Sequence, residues 1–176
     1  MSNARNLSKV EVDTNGDIEV GSLGNANDAS ALTTGTLGTA RLPAGSVLQV
    51  VTSSSNTTQS GTATVGVLTA SITPISASSK IVALGNLVLG LTASSNAYGT
   101  GTIFRGTTSG TQIAFVYSGV ASAISAAMNL SVFGIDSPNT TSAQIYTLAA
   151  GRGSGGTSSW STDGTSYSLT LMEIAV

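Results

Sequence analysis

The chain has no cysteine and no histidine. Without cysteine there are no disulfides, so it can be made in a reducing cytosol and still face the outside later. Without either residue there is no ordinary transition-metal site and no Ser–His or Cys–His nucleophile pair. Charge is scarce too: 8% of the 176 residues are Asp, Glu, Lys or Arg, against about 25% in an average globular protein. A net charge of −2 without a basic run leaves nothing to neutralise a phosphate backbone, which argues against a nucleic-acid partner. The longest apolar-leaning run, IVALGNLVLGL at 81–91, is far too short to span a bilayer, so no membrane insertion is expected. The opening SNARNLSKVEVD has no apolar core and does not read as a signal peptide.

What charge there is lies mostly at one end. Arg5, Lys9 and Arg41, with Glu11, Asp13, Asp17, Glu19 and Asp28, all precede Leu42. The remainder keeps only Lys80, Arg105, Arg152, Asp136, Asp163 and Glu173. Its surface must therefore be built from Ser, Thr, Asn and Gly, which suits a tight oligomer or a particle exterior better than a free monomer. The predicted division is an extended N-terminal docking arm, 1–45, and a displayed β body, 46–176.

Two features stand out in the arm. In KVEVDTNGDIEV (9–20), a three-residue loop at Thr14-Asn15-Gly16 pairs Val12 with Ile18 and Val10 with Val20 on one face of a β-hairpin. A two-residue Asn-Gly loop would set valines opposite glutamates. Asp13, Asn15 and Asp17 also open like a calcium loop, but Ile18 and Gly24 occupy the positions that need Gly and Glu, so the hairpin is the better reading. At the neck, 32–47, Leu32, Leu37, Leu42 and Val47 recur every five residues, with Gly35, Gly38, Pro43 and Gly45 between them. That period fits neither helix nor strand. It describes an irregular extended segment whose apolar side chains need a neighbouring copy or a larger assembly.

Beyond the neck, β-type runs are predicted at 46–52, 62–73, 80–91, 100–104, 111–117, 129–135, 143–149 and 167–176. About eight strands at this spacing, with Ser/Thr/Gly turns, imply an all-β antiparallel sandwich of jelly-roll type. A short helix is the alternative for 120–128, VASAISAAM. Pro74 and Pro138 fall between runs, where they cost no ladder hydrogen bond. In the last run Tyr167, Leu169 and Leu171 share one face while Met172, Ile174 and Val176 share the other. A strand apolar on both faces is buried on both, so its outer face should pack on a neighbouring subunit. With closed symmetry as the rule for homo-oligomers, a closed homo-oligomer is expected.

Candidate chemistry is thin. A Ser–Lys dyad would need Lys80 with Ser78 or Ser79, but adjacent strand residues point to opposite faces. Glycoside hydrolysis would have to use two of Asp136, Asp163 and Glu173; turn capping accounts for the two aspartates, and Glu173 could pair with Arg105 or Lys80. GRGSGG at 151–156 satisfies GxGxxG, but no helix follows to hold a phosphate. That loop precedes Trp160, the only tryptophan. An indole among small polar residues, with Arg152 and Asp163 nearby, would suit a sugar face; the alternative is that it folds back over the sheet edge or into a subunit seam. No cofactor and no metal is expected.

LTTGTLGTARLPAGSVLQVV (32–51), SITPISASSKIVAL (71–84), FRG (104–106), IDSP (135–138) and STDGTSYSLTLMEIA (161–175) resemble, in this order, the C-terminal domain of bacteriophage tail fibres and related virion-surface proteins. Such domains are common in phages of marine and cyanobacterial hosts. SNARNL (2–7) is similar to the start of many small phage structural proteins. The resemblance implies a non-enzymatic protein made in the host cytoplasm and carried on the particle surface as a trimer. Its arm would dock on the major capsid protein or on a tail component. The short arm favours a head decoration, or cement, protein; a short tail fibre that recognises a host surface glycan is the alternative.

Overall fold

A computed structural model of the chain describes residues 42–93, 97–120, 124–153, 158–162 and 166–176. The hairpin at 9–20 and most of the neck, with Val10, Val12, Ile18, Val20, Leu32 and Leu37, lie outside the described residues, as does Asp163. The compact unit runs from Pro43 to Val176 and is all β. Its strands are β1 (Val47–Ser55), β2 (Ser60–Gly61), β3 (Val65–Ile72), β4 (Lys80–Ala93), β5 (Ala97–Arg105), β6 (Thr111–Val120), β7 (Ile124–Asp136), β8 (Gln144–Arg152), β9 (Ser158–Ser161) and β10 (Tyr167–Ile174).

Two antiparallel sheets face each other. One has the order β3-β8-β5-β6; the other runs β1-β10-β4, with β7 on the far side of β4. The short β9 pairs with the second half of β4, and β2 pairs with β9. Apart from these two short strands, the eight long ones form two four-stranded sheets, and the chain changes sheet at every step except β5 to β6, as in a jelly roll. Strand β4 is the spine. All of it pairs with β7, its first half also with β10 and its last four residues also with β9.

The alternation that predicts a strand also sorts the faces. Along β4, Ile81, Ala83, Leu87, Leu89 and Leu91 are buried, while Val82, Leu84 and Val88 point outward. Along β10, Tyr167, Leu169, Leu171 and Glu173 point inward and Ser168, Thr170, Met172 and Ile174 outward. The core is completed by Ile103, Leu130, Val132, Tyr146 and Leu148. On β5 the inward positions 99 and 101 are glycines because the facing sheet comes close. A Cβ at Gly101 would sit 2.9 Å from Val132 Cγ2, and one at Gly99 would collide with Leu89.

Each of the eight predicted runs corresponds to a strand, mostly longer than expected. The helical alternative over 120–128 is replaced by strand at Val120 and from Ile124 onward. Strands β2 and β9 were not expected. The body opens on a turn in which the Ser46 N–H donates to Pro43 O (3.1 Å). Gly45 holds φ +89° there, a conformation that favours glycine at the third position of a type II turn. Gly45 N–H to Ala175 O (2.8 Å) and Ala175 N–H to Ser46 O (2.9 Å) then tie the start of the body to its end.

Candidate docking and binding surfaces

The end of the sandwich at which the body begins holds two inward carboxylates in one row. Asp136, Ile81 and Glu173 are register partners across β7, β4 and β10, so the two acids lie roughly 10 Å apart with Ile81 between them. Both are held by hydrogen bonds. Asp136 accepts from Arg105 Nη1 at 3.1 and 3.0 Å and from Tyr146 Oη at 2.7 Å. Because β5 and β8 belong to the other sheet, this pair and phenol fasten the two layers together. Burial, reinforced by the bond to Asp136, pushes the Tyr146 phenol far above its usual range, so it stays a donor.

Glu173 is fully buried (0% exposed). Its Oε1 accepts the Ile75 and Ser76 N–H groups at 2.8 and 3.2 Å, and Oε2 accepts Gln49 Nε2 at 2.6 Å. The same Gln49 amide donates to Thr73 O at 2.7 Å. Burial alone would raise this carboxyl. The bonds from Gln49, Ser76 and Ile75 outweigh it. The carboxyl therefore sits below the ordinary range. Asp136 and Glu173 are thus structural clamps. The expected pairing of Glu173 with Arg105 or Lys80 gives way to Gln49 and the crossover 73–79, and Asp136 braces the sheets rather than capping a turn.

The outer face of the β1-β10-β4-β7 sheet is apolar where it lies nearest this end. Val50, Met172, Val82 and Ile135 form one row across the four strands. Thr52, Thr170, Leu84 and Phe133 form the next, followed by Ser54, Ser168, Asn86 and Ser131. Ile135 and Phe133 are 56% and 59% exposed. No charged residue stands in these three rows; Lys80 borders them one row out, opposite Ile174.

The outer face of the other sheet carries a trough of about 420 Å³. Tyr98, Phe104 and Phe115 supply aromatic walls, with Thr64, Thr100 and Thr102 between them and Gln112 and Arg152 at its margins. Tyr117 extends the aromatic strip, its ring 5.5 Å from Tyr98 and 6.1 Å from Phe115. Thr100 and Thr102 are buried although they lie on the outer face, because the surrounding side chains rise above them. A Cβ on Gly151 would fall 2.5 Å from Thr64 Oγ1 and 2.9 Å from Thr100 Oγ1. Only glycine lets the two hydroxyls converge there, which gives one of the glycines of GRGSGG a packing role.

Of the residues singled out from sequence, Leu42 lies in a bend and is half-buried, and Val47 opens β1 at 50% exposure. Trp160 is 1% exposed. Its indole N–H donates to Ala63 O at 2.8 Å and its ring covers Gly61. A ring so placed has no face to offer a sugar; it folds back over the β2 edge, the alternative the sequence allowed. Arg152 Nε donates to Thr62 O at 2.8 Å. Ser79 points inward and Lys80 outward, so the two do not form a dyad. The apolar rows follow from the second apolar face already visible in the last run. The trough was not foreseen, since its walls come from β5 and β6 in a register the sequence does not display.

No family model matches the chain, and no curated protein does. Among solved structures it is similar to the VP2 subviral particle of infectious bursal disease virus, with 18% identity and a TM-score of 0.38 over 72% of this chain and 32% of that one. It is also similar to the Gt strain of that virus, with 16% identity and a TM-score of 0.40 over 74% and 39%. The chain thus spans about a third of the length of the solved chains it matches. At these scores nothing about function is drawn from the likeness.

Proposed function

We propose that this chain is a non-enzymatic structural protein of a bacteriophage virion, displayed on the particle surface as a homotrimer. Its N-terminal arm docks on the major capsid protein or a tail component. The sequence resemblance supplies the virion; the observation that carries the association is the uncharged apolar face. Four strands at about 4.8 Å spacing and two rows about 7 Å apart make a patch of roughly 300 Å², apolar at six of its eight positions with Thr52 and Thr170 the exceptions, before the hydroxyl-rich third row is added as a rim. A second copy is the occupant argued for. The face has no charge with which to select a foreign partner, and it lies at the end where the body begins. Decoration of the head is the placement put first, and a short tail fibre is the alternative.

Mass photometry of the full chain tests the association. The expected species has three times the 17.4 kDa of one chain, and Phe133→Asn with Ile135→Thr yields folded monomer. A wild-type monomer, or a trimer indifferent to the double substitution, refutes the assigned face. Gold-labelled antibody against the body then separates the placements: label confined to tail tips excludes decoration.

A further inference from the structure

The second exposed face has a different chemistry, and it lies on the sheet opposite the proposed subunit contact. We infer that the trough on the outer face of β3-β8-β5-β6 is a binding site for a neutral hexose oligosaccharide. The assignment rests on three observations. Tyr98 and Phe115 present ring surface beside a depression of about 420 Å³, within the range of about 300 to 1,000 Å³ typical of small-ligand sites. Aromatic rings of this kind take the C–H face of a pyranose, an apolar surface bordered by polar groups.

Between the walls lie hydroxyls rather than methyl-lined cleft. Thr64, Thr100 and Thr102 line the trough, and the glycine at 151 allows two of these hydroxyls to approach each other. Each hydroxyl donates one hydrogen bond and accepts others, which matches the alternating donors and acceptors around a sugar ring. A proline-rich peptide would be met by aromatic walls but would have no use for a lining of four threonines, Thr108 being the fourth. Gln112 adds an amide able to donate and accept at the margin.

Among the described residues no carboxylate and no lysine lines the trough, and Arg152 supplies the one guanidinium. It already donates from Nε to Thr62 O. The lining thus matches a neutral glycan. The site is independent of the sheet face assigned to self-association, and it holds for a head or a tail placement. Failure of the trimer test leaves it standing.

Cello-, laminari-, manno- and chitohexaose, with decaproline as the peptide probe, would be titrated against the full chain by isothermal calorimetry. One or more of the hexaoses should bind. Phe115→Ala and Thr102→Val should each weaken that binding at least tenfold, and Phe133→Asn on the opposite sheet should leave it unchanged. Thr102→Val keeps the side-chain shape, and thermal melts of both variants confirm that the fold persists. Binding of none of the four hexaoses overturns the assignment. So does wild-type affinity in both trough variants, or binding of decaproline in place of any sugar.

Discussion

Glu173→Gln isolates the clamp that joins β10, β1 and the 73–79 crossover. The substitution is nearly isosteric, so packing stays and only the acceptor set changes. The carboxylate accepts three hydrogen bonds, two at Oε1 and one at Oε2. An amide has one oxygen. If it faces the Ile75 and Ser76 N–H groups, the new NH₂ opposes the Gln49 amide, and turning Gln49 over sacrifices its bond to Thr73 O. Hydrogen bonds to a charged acceptor contribute about 1.5–3 kcal/mol and neutral ones about 1 kcal/mol. Losing one and weakening two costs about 2–4 kcal/mol, offset by roughly 1 kcal/mol because the amide is cheaper to bury than the charge. The expected loss is about 2 kcal/mol, or a shift of about 1 M in the urea midpoint at fixed protein concentration.

The pH dependence supplies a second readout. The folded-state carboxyl lies below its ordinary value of 4.5. The unfolded chain therefore binds the proton first as pH falls, and stability declines in that interval. The stabilisation from this group is fully present above the unfolded value and lost as pH drops through the folded one. The gap between wild type and Glu173→Gln should be widest near neutrality and narrow progressively as pH falls below 4.5. A gap under about 0.5 kcal/mol at pH 7, or one that does not change between pH 7 and 3, would refute the clamp.

Two further substitutions probe the layers. Arg105→Met strands the Asp136 carboxylate against Tyr146 alone and should cost about 2–3 kcal/mol, the lower end of the range for a broken buried pair because Arg105 is 28% exposed; adding Asp136→Leu should recover most of it in the same urea titration. Trp160→Ala removes a fully buried indole and should cost about 3–5 kcal/mol, seen as a lowered melting temperature; a change within about 0.5 kcal/mol would mean the ring is not in the core.

The sandwich was readable because β-type runs of strand length recur along the body and turn residues punctuate them. Strands β2 and β9 were not, since SG and SSWS have no period of their own and exist only because the second half of β4 needs a partner once β10 has ended. Trp160 shows the same limit. Its sequence neighbours are polar, and its burial is decided by Gly61 and Ala63, about a hundred residues away. Glu173 occupies an inward position where an apolar residue would be expected, and its donors at positions 49, 75 and 76 become visible only after folding. The trough depends on register in the same way: Phe115 and Tyr117 alternate legibly, but that they flank Thr102 and Thr100 is a property of the β5–β6 pairing.

The hydrogen bonds between Gly45, Ser46 and Ala175 place both ends of the body side by side, and this fixes how it bears a load. A pull on residue 42 along the axis of β1, resisted by the rest of the body, puts the whole β1–β10 ladder under shear, so that the bonds from Val47 to Ser55 share the force at once. A pull between residue 42 and Val176 would open the same ladder one pair at a time, from its end. The Gln49–Glu173 contact lies two residues inside that end, where a peeling front would meet it first. A body tethered through its amino-terminal side and held elsewhere is therefore loaded in the stronger of its two directions, with a latch set against the weaker one.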